Sequence, residues 1–187
     1  MEKLNTVIVI ICISSLLLAV SESKASHGKK KVTRLQFYLH DMIGGEKPTV
    51  WAVARCNLSD VLASKFGKVL VLDNLVTSGA DMNSSEVGRL QGTVGQADLR
   101  ERALVMLLNL VFTKGEYEGS TLSIVGRNPL EQEVREVSIV GGTAAFRMAT
   151  GYILTRTYFR DPARVHSVYQ YNAVVYHMDR SVLSSRR

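Results

Sequence analysis

The stretch from Leu122 to Tyr158 limits the fold more than any other part of the chain. Three runs rich in β-branched residues lie within it: Leu122–Val125, Val134–Val140 and Tyr152–Tyr158. Between them stand Gly126-Arg127-Asn128-Pro129 and Gly141-Gly142-Thr143, both strong turn formers. Glycine supplies the positive φ angles of tight reversals, and proline cannot donate to a central ladder. A parallel crossover needs a dozen or more residues, so strands joined this closely pair antiparallel. The core is expected to be all-β.

The same pattern extends in both directions. From Leu35 to Ile43 the side chains alternate, with Leu35, Phe37, Leu39, Asp41 and Ile43 on one face and Gln36, Tyr38, His40 and Met42 on the other. Thr49–Cys56, which holds the one tryptophan, and Lys68–Asn74 read as further strands, followed by a polar loop over Leu75–Glu86. Val87–Val94 is a strand weakened by Gly88 and Gly92. Val105–Phe112 is apolar on every face, so Leu104–Thr113 reads as a strand buried on both sides. Val168–His177 closes the series. About eight strands at short spacing suggest a sandwich or a barrel, and composition leaves the two level. An eight-stranded antiparallel barrel would have no edges, and its interior would be wide enough for one small ligand.

The first 25 residues carry a different signal. Lys3 precedes an apolar run from Val7 to Val20, then small residues at Ser21, Ser23 and Ala25. This is the layout of a secretory signal peptide, cleaved after Ser23 or Ala25, against the alternative of an uncleaved anchor. The expected organisation is a leader at 1–25, a basic flexible tail at 26–34, one domain at 35–180 and a short tail at 181–187. The leader takes two acids and two bases with it, so the net charge stays at +6. In a secreted protein that charge points to anionic cell-wall polysaccharide as a counter-surface rather than to nucleic acid, unless it is only a solvated face. Only Cys56 survives cleavage, which excludes an internal disulfide and suggests a small buried hydrophobe. Asn57-Leu58-Ser59 and Asn83-Ser84-Ser85 are candidate glycosylation sites.

Catalytic apparatus is sparse. The four histidines have no ligand spacing, so no metal is expected, and no phosphate loop, dinucleotide fingerprint or nucleophile elbow occurs. No cofactor is expected. Asp41 is the exception, because it shares a face with Leu35, Phe37 and Leu39. Buried there, its carboxyl would be held neutral and could act as a general acid; alternatively it caps the Gly44-Gly45 turn. Arg135 shares a face with Val137 and Ile139, but also with Glu133, so it is either buried or a solvated surface cation. Tyr117, Tyr152, Tyr158, Tyr169 and Tyr171 supply aromatic material for a pocket.

Several blocks, in order, resemble the plant dirigent proteins: Phe37-Tyr38-Leu39-His40-Asp41, Val87-Gly88-Arg89-Leu90-Gln91-Gly92, Gly119-Ser120-Thr121-Leu122, Gly126-Arg127-Asn128-Pro129 and Arg135 through Thr143. The resemblance runs from about Leu35 to His177. It implies an eight-stranded antiparallel barrel, secreted to the apoplast, glycosylated and assembled as a homo-oligomer, a dimer or a trimer. It implies that phenoxy radicals of monolignols such as coniferyl alcohol, made by a separate laccase or peroxidase, are bound and coupled stereoselectively in lignan formation, without oxidation by the protein itself. Relatives of this fold act as dehydratases that close a ring through a quinone methide, and a non-catalytic cell-wall or defence role is a third expectation. By position, Asp41 and Arg135 match the family's interior acid and arginine, with Phe37 and Thr157 as pocket residues. The chain departs from the lignan-forming pattern at Val94, where a tyrosine is usual, and at Asn128, where an aspartate is. Ala144 and Thr150 depart as well.

Overall fold

A computed structural model describes residues 30–163 and 165–179. The expected leader at 1–25 and the C-terminal tail at 181–187 lie outside the described residues. Nine strands occur among the described residues: β1 (Lys30–Met42), β2 (Val50–Ala54), β3 (Val69–Thr77), β4 (Glu86–Gln96), β5 (Ala103–Phe112), β6 (Thr121–Pro129), β7 (Val134–Gly142), β8 (Thr150–Arg160) and β9 (His166–Met178). A four-residue helix α1 (Leu58–Val61) and one 3-10 turn (Ala144–Phe146) complete them.

Each strand pairs antiparallel with its neighbour from β2 through to β9, and β9 pairs with β1 along its whole length. The circle closes where Tyr38–His40 of β1 meets Leu75–Thr77 of β3. β2 then takes up the remaining half of β3, with Val50 opposite Leu72. Thus β1 and β2 occupy one place in the sheet, interrupted by the excursion at residues 43–48. The Thr49 N–H donates to the Met42 carbonyl at 2.8 Å, and the Asp73 N–H to the Thr49 carbonyl at 2.9 Å, bridging the gap. The result is an eight-stranded closed barrel, which decides between barrel and sandwich. Closure through the β1–β3 contact leaves an interior surrounded by inward side chains, while β2 pairs with β3 alone.

Inward positions follow the expected alternation. Phe37, Leu39, Leu90, Leu108, Leu110, Leu122, Ile124, Ile153 and Val175 form one contiguous core. One end of the barrel is filled by aromatic rings. Phe146, carried inward by the 3-10 turn, lies 5.3 Å from Phe112, 4.8 Å from Tyr117 and 5.2 Å from His177, centroid to centroid. The other end, where β1 and β4 finish and β3 and β5 begin, is open.

Four expectations are corrected. β5 is not buried on both faces: Leu107 is 56 % and Val105 42 % exposed, while Met106, Leu108 and Leu110 are buried. Its apolar outward residues join a row across the outside of the sheet, in which Trp51, Val71, Thr93, Leu107 and Val125 are successive partners. The basic segment does not stay a tail to residue 34, because Lys30–Arg34 pairs with Val174–Met178 in the ladder. β3 runs on to Thr77, so the polar loop starts three residues later than the sequence suggests. Cys56 is exposed rather than buried, its thiol resting against Ser59 at 3.7 Å and the Phe66 carbonyl at 3.5 Å.

Candidate functional site

The open end leads into a cavity of about 360 Å³. Its walls are mostly aliphatic, from Leu39, Leu72, Leu90, Val94, Met106 and Leu108, with Tyr169 and Tyr171 opposite. Pockets of this size and mostly apolar lining, with a few convergent polar groups, suit a small organic ligand. Its polar lining includes Asp41, Gln96, Asn128, Arg135 and Thr155, with Lys65, Lys68, Arg102 and Arg160 towards the open end.

Asp41 is on the cavity wall because β1 alternates without a break from Phe37 to Asp41. Its Oδ1 accepts a hydrogen bond from Asn74 Nδ2 at 2.9 Å. Asn74 is fully buried, and its own carbonyl oxygen accepts from the Thr49 hydroxyl, so the amide cannot rotate freely. Among the described residues no cation comes within 4 Å of the Asp41 carboxylate. Burial pushes its pKa above the ordinary 3.8, and the Asn74 bond and the more distant charges of His166 and Arg160 only partly oppose that. A carboxyl whose proton is held more tightly than in water, one oxygen fixed, is better suited to act as a general acid.

Arg135 lies on the same inner surface of β7 as Val137 and Ile139 and is 2 % exposed, so the buried alternative holds. Cross-strand pairing sets Arg135 opposite Thr155, Thr155 opposite Tyr171 and Tyr171 opposite Phe37. The guanidinium sits 5.6 Å from the centre of the Tyr169 ring and donates from Nη1 to Thr157 Oγ1 at 3.1 Å. Burial lowers its pKa and burial raises that of Tyr171. Arg135 Nε, Asn128 Oδ1 and Gln96 Oε1 are buried without a hydrogen-bond partner among the described residues. Buried polar atoms without a partner are rare, and these three belong to residues that line the cavity.

The residues singled out from sequence separate into two sets. Asp41 and Arg135 both reach the cavity. Phe37 does not line it: it packs behind the wall, stacked on Tyr171 at 5.4 Å. Thr157 shares the face of Thr155 and accepts from Arg135, but it is exposed and does not line the cavity; the threonine of the wall is Thr155. Tyr117 belongs to the aromatic plug, and Tyr158 is outside against Tyr38. Val94 and Asn128, the two departures, are both on the wall. Asn57 and Asn83 are exposed, and the Asn57 side chain makes no capping bond.

His40 points away from the cavity, as its even position requires, yet is fully buried. Its Nε2 meets Thr77 Oγ1 at 2.8 Å and its Nδ1 meets His166 Nε2 at 3.4 Å. Burial, then the His166 charge, lower its pKa below 6.5, opposed by Asp81. The unfolded chain takes up this proton before the folded chain does, so the contribution is intact above pH 6.5 and declines as pH falls below it. Urea unfolding should therefore show stability falling as pH is lowered from about 7.5 to about 5.5. His40→Gln should reduce that loss, and an unchanged pH dependence would count against it.

Missing from the sequence reading was Asn74, which orients the acid. The signal was present: Leu70, Leu72, Asn74 and Val76 alternate inward on β3, with one polar side chain in an apolar row.

A family model described as Dirigent-like protein matches residues 32–176. The chain is 44% identical over 147 residues to Dirigent protein 11 of Arabidopsis thaliana, covering 79% of this chain and 75% of that one. To Pterocarpan synthase 1 of Glycyrrhiza echinata it is 39% identical over 150 residues, covering 80% of each. Among solved structures, the pterocarpan synthase dirigent protein GePTS1 is similar with a TM-score of 0.76 at 36% identity, over 82% of this chain and 94% of that chain. The pterocarpan synthase dirigent protein PsPTS1 has a TM-score of 0.73, also at 36% identity, over 80% and 97%. With the match reaching from the first barrel strand to the last, the chain belongs to the dirigent family.

Proposed function

We propose that the chamber binds a phenolic substrate and that Asp41 supplies the proton for ring closure at a quinone methide. The observation that carries this is the position of Asp41: a carboxyl whose pKa burial raises, fixed by Asn74, on the wall of a largely aliphatic cavity. Donation of its proton to the quinone methide oxygen forms a phenol and makes the benzylic carbon more electrophilic. A hydroxyl of the same substrate forms the new C–O bond and releases its proton, which restores the acid through solvent at the open end. Arg135 and Tyr169 would lie along the phenolic ring, and the shape of the wall would admit one face of the reacting carbon.

In the first reading the quinone methide comes from coupling two phenoxy radicals of a monolignol such as coniferyl alcohol, generated by a separate laccase or peroxidase. The protein then sets the stereochemistry of a lignan. The product should be optically active when oxidant and protein are both present, at an unchanged overall coupling rate. Chiral chromatography reads this directly; racemic product at saturating protein would rule it out.

The second reading is a dehydratase or cyclase, favoured by the similarity to two pterocarpan synthases of solved structure. There Asp41 protonates a benzylic hydroxyl, water leaves, the phenol loses its proton and the quinone methide forms without any oxidant. Conversion by the protein alone separates this reading from the first. Secretion to the apoplast, glycans on Asn57 and Asn83, and a homo-oligomer packed on the outer row from Trp51 to Val125 complete the proposal.

A further inference from the structure

The charges around the cavity are one-sided. Asp41 faces Lys65, Lys68, Arg102, Arg135 and Arg160 among the described lining residues, with no second acid. Lys65 and Lys68 precede β3, Arg102 precedes β5 and Arg160 ends β8, so three separate connections bring these cations to the open end. The neighbouring acids are already engaged. Glu131 pairs with Arg102 at 3.5 Å, and Asp98 and Glu101 both pair with Arg127, at 2.9 and 2.6 Å. Among the described residues, Lys65, Lys68 and Arg160 have no carboxylate within 4 Å. Arg160 is close enough for its charge to be felt by both Asp41 and Arg135.

Below this rim the wall is aliphatic, with Leu70, Val94, Leu104 and Met106. A cleft with low-dielectric walls and charges of one sign concentrates the field at its mouth, which raises the local concentration of an opposite charge. A neutral alcohol gains nothing from it.

We propose that the chamber selects an aromatic acid, its ring among the aliphatic residues and its carboxylate held at the mouth by Lys65, Lys68 and Arg160. This rests on the phenolic reading of the site and adds to it a preference for anionic phenolics over neutral ones such as coniferyl alcohol. Two compounds isolate the effect. Ferulate differs from coniferyl alcohol in carrying a carboxylate in place of the terminal CH2OH, with the same ring.

Isothermal titration of the folded protein with each, at low salt, should show ferulate binding on the order of tenfold tighter. The gap should close near 1 M salt, where the Debye length is about 3 Å. A Lys65→Gln, Lys68→Gln double variant should bring the ratio of the two affinities towards one. Equal or tighter binding of coniferyl alcohol overturns the inference while leaving the phenolic reading intact. So does a ferulate preference that neither salt nor the double variant reduces. Binding of neither compound overturns both.

Discussion

Asp41→Asn is expected to lower the yield of stereochemically controlled product by on the order of 10²–10³-fold, with the fold intact. Asparagine keeps the acceptor oxygen that Asn74 Nδ2 binds in the native protein. It has nearly the volume of aspartate, so neither packing nor the Asn74 bond is lost. What is removed is the transferable proton. The stability change should have the opposite sign from an ordinary core substitution. Because burial raises the Asp41 pKa, ionisation above pH 3.8 is less favourable in the folded chain than in the unfolded one. That cost is absent at low pH and grows as pH rises through the folded value. The variant should therefore melt no lower than the parent at pH 7, with any advantage disappearing near pH 4. Lost product control together with a fallen melting temperature would indicate that Asp41 only supports the β1–β3 seam.

Gly151→Ala should produce the largest loss of stability, about 4 kcal/mol, or roughly 10 °C in melting temperature. Gly151 lies in β8 between Ile139 and Val175, in a row that faces the interior. Its φ is +151°, and a Cβ built there would stand 2.0 Å from the Val174 carbonyl oxygen. The obstacle is backbone in the adjoining strand, so no rotamer change relieves it. A side chain here would push β8 and β9 apart, and a strand glycine of this kind is where a barrel sheet is expected to bend. Circular dichroism melts of the variant and parent test this. Near-parental melting would show that the bend tolerates a side chain and that the ring closes by other means.

Much of the barrel was legible because its strands obey a period of two. In β1 the alternation from Leu35 to Asp41 was enough to point an acid inward, whereas Arg135 of β7 was left open between a buried and a solvated position because Glu133 counts onto the face of Val137 and Ile139. Closure itself was not legible, since it depends on a three-residue contact between β1 and β3 that no local pattern encodes. Bulges defeat the same reasoning. In β8 the register slips by one residue between Thr157 and Phe159, so the count by twos breaks beyond Thr157 and Arg160, an even position, reaches the mouth. β5 misled in another way. An outer face rich in valine and leucine looks the same in sequence as an inner one, so Val105 and Leu107 were placed in the core although they lie outside. Asn74 was missed because its strand was ended there, before Val76 could show which way it faced. The mouth could not be assembled from sequence at all, as Lys65, Arg102 and Arg160 become neighbours only when three distant connections converge.

The most direct measurement is a titration of the Asp41 carboxyl by carbon NMR, with the Asp41→Asn variant assigning the resonance. A neutral acid on the chamber wall predicts a midpoint clearly above 3.8, responsive to a phenolic ligand added to the folded protein. A midpoint at or below 3.8, unmoved by any such ligand, would place the carboxylate in water and contradict the account.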